Sequence, residues 1–420
     1  MKTMKRICLL LLVLTSALAG APGEDFRTDI NPALLYYRAF LVPTEPISEA
    51  DWKYLASKKG KEQKLPERFG KIAAGYDAQF ALVRQAAQCT VPCDWGIDFS
   101  PGPNIVLPHL ARAKGVCLTA QLRATWALQQ GRQTEARDEL LAAFALGRNV
   151  ASDTLLISTY VQLMIEAYTY GTVAQHFGEF SPETLKELVD GFDAAPARHL
   201  MAACIPGEKS LGDWTLRQIR NLQQAHPGDD AKVMAGFHET GIAQAMESVG
   251  ESNFWPRLLA ASGGTSEGVI KLVHESADLF PRFAQLLELP QPEYETQAKE
   301  FSTELQKTQN PFVAGFRLIL GGWQNRQFRP TEFKAQAQQA MVHAAVEYKL
   351  HGESGLKRVT DPFGNGPFSF RRFAFKGTDR GFELKSAYTG AEAPFVMIFV
   401  EKQGSAFQVI GPDAGKPISE

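Results

Sequence analysis

Apolar residues recur at three- and four-residue steps through most of the chain, which is the period of an α-helix. The clearest run covers residues 107–129, and a second run covers 136–147 after Gly131. The apolar positions of the two runs are Leu107, Leu110, Ala111, Ala113, Cys117, Leu118, Ala120, Leu122, Ala124, Ala136, Leu140, Ala143, Phe144 and Gly147. Because Gly131 separates two amphipathic stripes, the pattern predicts two helices in an antiparallel hairpin.

Further helical patterns follow this hairpin. One begins at Ser152-Asp153 and runs toward His176, and the next has Ser181 as its N-cap and Pro182 at its first helical position. The later helical stretches are 212–224, 231–249, 267–287, 293–307, 313–320 and 331–351, with loops at 263–266 and 290–292.

From about Gly355 the period becomes that of β-strands. Phe368, Phe370, Phe373 and Phe375 alternate with polar residues, and their parity slips at 371–372, which predicts a bulge. A turn at 376–381, a returning strand from 382, an apolar strand at 395–400 and a last strand at 406–410 complete the pattern. We expect four antiparallel strands in two hairpins, packed against the last long helix because so small a sheet is marginal alone.

The fold class that these periods predict is mainly α, with stacked antiparallel helical hairpins and a small C-terminal antiparallel β domain. The predicted boundaries are 20–354 for the helical domain and 355–420 for the β domain. About 400 residues exceed one compact core, so two domains or an extended helical array is expected.

The first nineteen residues have the pattern of a secretory signal peptide. Lys2, Lys5 and Arg6 precede the apolar stretch 7–14, and Ala17 and Ala19 supply the small residues before a cleavage point. The segment is too short for a membrane anchor, and the later apolar stretch 312–322 is also too short. The mature protein is therefore expected to be exported to the periplasm or beyond the cell, and to be soluble there with no transmembrane segment.

Charge argues against a nucleic-acid partner. The chain carries a formal net charge of −2, and removing the three positive charges of the leader makes it −5. Proteins that bind nucleic acid normally present a net basic surface. With 45% hydrophobic and 21% charged residues, the chain has the composition of an ordinary globular protein.

Four cysteines remain after the leader: Cys89, Cys93, Cys117 and Cys204. Export places them where disulfides form, and four cysteines allow three pairings that sequence cannot decide. We favour Cys89–Cys93, whose short loop contains Pro92, together with Cys117–Cys204. A metal site built from Cys89, Cys93 and His109 is the disfavoured alternative, because no second cysteine pair accompanies it.

The sequence carries no recognisable catalytic or cofactor motif. His343, Glu347 and His351 share a helical stripe, but the outer two are too far apart for one metal ion, so a solvated face is the better interpretation. The stretch 263–268 lacks the Gly-Lys-Ser/Thr ending of a phosphate loop, and neither His-Glu-x-x-His nor Gly-x-Ser-x-Gly occurs. We therefore expect no metal and no cofactor.

One cluster remains as a candidate binding surface: Asp94, Trp95, Asp98 and His109, in a Gly/Pro-rich loop around the expected Cys89–Cys93 bridge. Loops of this kind carry recognition residues. The alternative is that Trp95 is a buried anchor, Asp94 caps a turn and His109 packs into the next helix, since tryptophans in loops mostly serve as anchors.

Two sets of motifs resemble a group of exported bacterial helical proteins of unassigned function. The first is Cys93-Asp94-Trp95-Gly96, followed by Leu107-Pro108-His109-Leu110 and the Gly131 hairpin. The second is Asp361-Pro362-Phe363 before Pro367-Phe368-Ser369-Phe370-Arg371, although this chain lacks the group's Gly-x-Trp-Pro approach to that motif. The resemblance implies export and architecture, and it carries over no catalytic residue.

The turn of the Gly131 hairpin also resembles that of a tetratricopeptide repeat, with no second copy at 34-residue spacing. Stacked helices favour extended ligands. We therefore expect a non-enzymatic envelope protein that binds another protein or a polymer through its helical surface. The alternative is a periplasmic or extracellular hydrolase whose site one sequence does not reveal. An open groove favours binding, whereas a deep pocket with two strongly perturbed titrating groups favours an enzyme.

Overall fold

The computed structural model describes residues 26–248, 252–313, 316, 328–389, 394–404 and 406–418. The predicted signal peptide lies outside these residues. The fold is mainly helical, with a small antiparallel sheet near the C-terminus, as the sequence predicts.

The helices are numbered in chain order. They are α1 (Pro32–Leu41), α2 (Glu49–Ala56), α3 (Lys58–Glu62), α4 (Glu67–Ala74), α5 (Asp77–Ala87), α6 (Pro108–Gln129), α7 (Gln133–Val150), α8 (Leu156–Gln175), α9 (Pro182–Ala194), α10 (Ile205–Ala225), α11 (Asp230–Glu239), α12 (Ile242–Ser248), α13 (Phe254–Ser262), α14 (Ser266–Ala277), α15 (Phe280–Glu288), α16 (Gln291–Lys307), α17 (Phe328–His351) and α18 (Glu353–Leu356). Short 3₁₀ turns cover Gly102–Asn104, Ala151–Asp153, Phe177–Glu179, Met201–Cys204 and Pro311–Val313.

The predicted hairpin is confirmed in α6 and α7. Gly131 ends α6 with φ +74°, a left-handed conformation that glycine adopts at low cost. The Arg132 amide then donates to the Ala127 carbonyl and closes the turn. Small residues let the helices approach closely: a Cβ on Gly147 would lie 2.6 Å from the Ile165 side chain of α8. The Ser181 cap of α9 is also confirmed, since its hydroxyl accepts from the Thr184 amide.

Two of the predicted helices are each divided in the structure. The 231–249 stretch breaks between α11 and α12 at Gly241, whose φ is +82°. The 267–287 stretch breaks between α14 and α15 just before Pro281, because proline lacks the amide that would continue the helix. Most of the predicted helix at 313–320 lies outside the described residues.

The sheet contains three strands in the order β1-β2-β3: Ser369–Phe375, Thr378–Thr389 and Pro394–Val400. The prediction of four strands is therefore wrong. Residues 406–410 lie beside β3, but only an isolated bridge joins Met397 to Ile410. The chain curls back at once, since the Gln408 amide donates to the Lys416 carbonyl, so this segment bonds to its own return as well as to β3.

The turn and the bulge also differ in position from the prediction. The β1–β2 turn contains only Lys376 (φ 51°) and Gly377 (φ 75°), the left-handed pair of a two-residue hairpin, and Asp379 already belongs to β2. The register shifts between Phe373 and Ala374, two residues after the place where the parity of the sequence slips.

The sheet shares its hydrophobic core with the helices, and it packs on α17 as expected. The Tyr348 ring of α17 lies 4.8 Å from both Phe370 of β1 and Phe382 of β2. Beside α8, a Cβ on Gly178 would lie 2.2 Å from the Glu401 carbonyl oxygen, so the helical part and the end of β3 meet at backbone distance. Within the residues described, no helix is long and apolar enough to cross a membrane.

The Asp361 motif that precedes the sheet closes a turn. The Asp361 carboxylate is buried and accepts from the Phe363 amide, the Ser386 hydroxyl and the Ala387 amide. A single carboxylate thus joins the turn before β1 to β2, which explains the residue type structurally.

Candidate functional site

Trp95 and His109 of the predicted binding cluster are buried anchors. Trp95 is 4% exposed and its indole N–H donates to the Asn149 carbonyl at 2.8 Å. The His109 ring stacks on Trp95 at 4.6 Å, and its Nε2 lies 3.3 Å from Asp153 Oδ2. Tyr36 stacks on the indole at 5.7 Å. These contacts join the loop before α6 to α1, α7 and the start of α8.

Asp94 and Asp98 lie at the surface and close local turns. The Asp94 carboxylate accepts from the Gly96 amide, and Asp98 accepts from both the amide and the hydroxyl of Ser100. The Ser100 hydrogen bonds lower the Asp98 pKa. The four predicted residues therefore divide into two buried rings and two exposed turn carboxylates.

None of the four cysteines is bonded to another in the structure. Cys117 and Cys93 belong to the same N-terminal core, whereas Cys204 belongs to the central core, where its Sγ lies 3.0 Å from the Thr159 hydroxyl. Burial raises the pKa of Cys93, Cys117 and Cys204 to about 12, so these thiols are poor nucleophiles. The two disulfides stay predictions for the oxidised protein.

The histidine stripe on α17 is engaged in separate pairs. His343 Nε2 lies 3.2 Å from Asp193 Oδ1, and His351 Nε2 lies 3.9 Å from Glu347 Oε2. Across the described part of the chain, no group of three His, Cys, Asp or Glu residues is arranged to hold a metal ion.

A cleft elsewhere in the N-terminal part of the fold has the features of a binding site. It has a volume of about 580 Å³, within the range of about 300–1,000 Å³ usual for ligand pockets. The helices α4 and α5 form one side, and the end of α6 with the start of α7 forms the other. Its lining residues are Gly70, Ala73, Ala74, Asp77, Arg84, Arg123, Trp126, Arg132, Thr134, Glu135, Asp138 and Glu139.

The floor of this cleft is a buried ion cluster. Glu139 of α7 is fully buried, and its Oε1 accepts from Arg123 Nη2 of α6 at 2.9 Å and from Arg84 Nη1 of α5 at 2.7 Å. Arg123 also donates to the Ala73 carbonyl of α4 and to Asp77 Oδ1. Three helices are thus held to α7 through two guanidinium groups.

The second oxygen of the buried carboxylate makes no hydrogen bond. Glu139 Oε2 has no hydrogen-bond partner among the described residues. Burial raises the Glu139 pKa, and the neighbouring Arg123 opposes that rise only in part. A buried acceptor without a partner is uncommon in native proteins and costs free energy, so a polar group of a ligand is one explanation for it.

The rim of the cleft carries accessible charges of both signs. The side chain of Arg84 is 36% exposed and that of Arg132 is 48% exposed. Apart from the bonds to Glu139 and Glu135, their guanidinium N–H groups donate to none of the described residues. Opposite them, the Asp77 side chain is 70% exposed. The cleft therefore presents free donors and free acceptors together.

The apolar wall is fixed by a close helix contact. A Cβ on Gly70 of α4 would lie 2.3 Å from the Trp126 indole, so only glycine lets α4 approach the ring at this point. Trp126 therefore has little room to move on that side, and it offers a flat apolar surface beside the charged floor.

Sequence reasoning missed this site, although one signal was present. Arg123 lies between Leu122 and Ala124, both of which are buried, so a cation interrupts the inward side of a predicted helix. A charged residue in such a position needs a buried partner. Its partner Glu139 is sixteen residues away on the other arm of the same predicted hairpin.

No family model, curated protein or solved structure matches the chain in three separate comparisons.

Proposed function

We propose that this protein is an exported, non-enzymatic binding module that takes a charged group of its ligand into the α4–α7 cleft. The observation that supports this proposal most directly is the rigid ion floor beneath an open, charged rim. The floor is already ordered by Arg123 and Glu139, so a ligand would not have to organise it on binding.

The chemistry of the lining favours binding over hydrolysis. The residues that line the cleft include no His, Cys, Ser or Lys, so the hydrolase classes that depend on those side chains as nucleophile or base find none there. Burial raises the pKa of Glu139, but both of its neighbouring guanidinium groups bond to the same carboxyl group, which suits a fixed acceptor better than a group that exchanges protons.

Export is the second part of the proposal, and it is based on the leader-like pattern of residues 1–19. A ligand met outside the cytoplasm would be carried by an envelope protein or an envelope polymer. In that oxidising compartment we also propose the Cys89–Cys93 bridge, whereas a Cys117–Cys204 bridge would first have to bring together two thiols that lie in different cores.

Fluorine NMR of the mature protein labelled with 5-fluorotryptophan tests the binding site directly. Trp126 lines the cleft, whereas Trp214 packs against Gly102 in another part of the fold and is an internal reference. Addition of fractionated envelope extract should move the Trp126 resonance, assigned with Trp126→Phe, and leave the Trp214 resonance in place. If no fraction moves the Trp126 resonance, the proposal is wrong.

Mass spectrometry of the same fraction before and after incubation separates binding from catalysis. A binding module returns its ligand unchanged. Consumption of the ligand with appearance of hydrolysis products would contradict the non-enzymatic part of the proposal and support the hydrolase alternative.

A further inference from the structure

We propose, on the basis of the function proposed above, that the cleft recognises an α-amino acid head group, an ammonium and a carboxylate carried on one carbon. The ammonium would donate to Glu139 Oε2, and the carboxylate would accept from Arg84. Glu139 and Arg84 already lie side by side in the structure.

Glu139 supplies the acceptor for the ammonium. Glu139 is fully buried, lines the cleft and keeps Oε2 without a partner among the described residues, while Oε1 is shared by Arg84 and Arg123. A ligand that supplies a charged N–H donor would satisfy this oxygen with a charge-assisted bond. An anionic group could not do so.

Arg84 supplies the donor for the carboxylate. Arg84 uses one Nη1–H on Glu139, and its remaining N–H groups donate to no described residue. Its side chain is 36% exposed, so these groups are within reach of a ligand. A guanidinium presents paired N–H groups that match the two oxygens of a carboxylate.

The distance between Arg84 and Glu139 limits the ligand. Arg84 Nη1 lies 2.7 Å from Glu139 Oε1, so the cation and the carboxylate are in direct contact. A ligand that bonds to both must carry its own opposite charges close together, as an α-amino acid does on one carbon. A diamine or a dicarboxylate would place a like charge against one of the two groups.

The cleft also has room for the side chain of the ligand. The cleft is far larger than the head group, and Trp126 with Ala73 and Ala74 provides an apolar surface beside the charged floor. We therefore use leucine as the probe, because its side chain can pack on the indole.

Isothermal titration calorimetry of the full mature protein compares leucine with N-acetylleucine and leucinamide. Each derivative loses one charge and keeps the side chain, so the protein is not altered. We expect each to bind at least about tenfold more weakly than leucine, the effect of one lost charge-assisted hydrogen bond. Equal affinities for the three ligands would overturn the head-group inference and leave the binding function untouched.

Arg84→Gln assigns the carboxylate half of the site. In this variant leucine and leucinamide should bind about equally, while N-acetylleucine still binds more weakly than leucine. The control is Lys186→Gln, which removes an exposed cation paired with Asp190 on α9 and should keep the wild-type order. If Arg84→Gln still prefers leucine over leucinamide by tenfold, the assignment of Arg84 is wrong.

Absence of leucine binding at millimolar concentration would also overturn the inference, and the fluorine experiment would then decide separately whether the cleft binds anything. Where leucine binds, co-sedimentation with purified cell-wall polymer in the presence and absence of leucine identifies the source. Competition by leucine indicates a polymer-borne head group, and no sedimentation indicates the free amino acid.

Discussion

Removing the cation beneath the cleft should destabilise the N-terminal helices far more than an exposed charge change would. Arg123→Met keeps an unbranched apolar stem but removes the guanidinium and every hydrogen bond that it makes. The Ala73 carbonyl loses one donor but keeps the Tyr76 amide, so this change costs less than about 1 kcal/mol. Glu139 keeps only Arg84, and a buried carboxylate left short of a partner costs about 2–3 kcal/mol more.

The bond to Asp77 adds little, because that side chain is 70% exposed. We therefore expect a loss of about 3–5 kcal/mol in the local free energy of opening, the range for breaking a buried ion pair from one side. Native-state hydrogen exchange of peptides from α6 and α7 measures this quantity locally, which suits a chain of this size.

The double variant Arg123→Met/Glu139→Leu supplies the matched control. It removes both charges and leaves no buried ion without a partner, so exchange protection should return to within about 1–2 kcal/mol of the wild type. A single variant as stable as the wild type would refute the reasoning. So would a double variant no better than Arg123→Met, because the loss would then come from packing and not from an uncompensated charge.

Three further predictions concern the rest of the fold. Asp361→Ala should lower stability by about 2–4 kcal/mol in urea unfolding, because it removes the buried acceptor of two backbone amides and a hydroxyl. Gly102→Ala should lower the melting temperature by several degrees, since its Cβ would lie 2.4 Å from the Trp214 ring. Glu208→Gln should keep the hydrogen bond to the Leu156 amide. Burial raises the Glu208 pKa in the folded state, so the wild type loses stability as pH rises above about 4.5, whereas the variant does not. The difference in the free energy of unfolding between the variant and the wild type should therefore grow over this range.

Each of these variants has a control in the same chain. Asp94→Ala removes an exposed turn carboxylate and should cost less than Asp361→Ala. Gly96 has φ +62°, nearly that of Gly102 (φ +61°), with open space around it, so Gly96→Ala measures the backbone strain without the clash. Glu300→Gln is an exposed exchange and should show no such growth with pH. If the difference in the free energy of unfolding between Glu208→Gln and the wild type does not change across this pH range, Glu208 does not have a raised pKa in the folded state.

Helical periodicity predicted the α6–α7 hairpin well, because each arm is long and its apolar face is continuous. The same signal failed where a single residue decides the outcome. Gly241 and Pro281 interrupt stretches whose apolar period runs on, and the period alone does not register the change of direction. The fourth strand failed for a related reason, since the pattern of residues 406–410 fits a strand but the chain turns back before a ladder forms.

The candidate cleft was harder to predict because it depends on pairing between distant helices. Arg84 and Glu139 are 55 positions apart, and nothing in their local sequence indicates that α5 packs on α7. The residues of the predicted cluster around Trp95 lie close together in the sequence and have side chains typical of binding sites. In the structure they stabilise their own turns or pack in the core. Spacing along a chain therefore identifies turns and caps more readily than it identifies a surface assembled from four helices.

Hydrogen-bond satisfaction distinguishes Trp95, Asp94 and Asp98 from Glu139, whereas neither ring nitrogen of the buried His109 makes a hydrogen bond to a described residue. The Trp95 indole N–H has the Asn149 carbonyl, and the exposed carboxylates Asp94 and Asp98 accept from their own turns. The Trp95 indole has no second N–H to offer a ligand, and the two carboxylates stabilise their own turns at the surface. Glu139 is equally buried but keeps one oxygen open at a cleft, and the two arginines prevent it from moving away. The two guanidinium groups compensate the charge of Glu139 but leave Oε2 without a donor, and that missing hydrogen bond is the physical basis for expecting an N–H group of a ligand there.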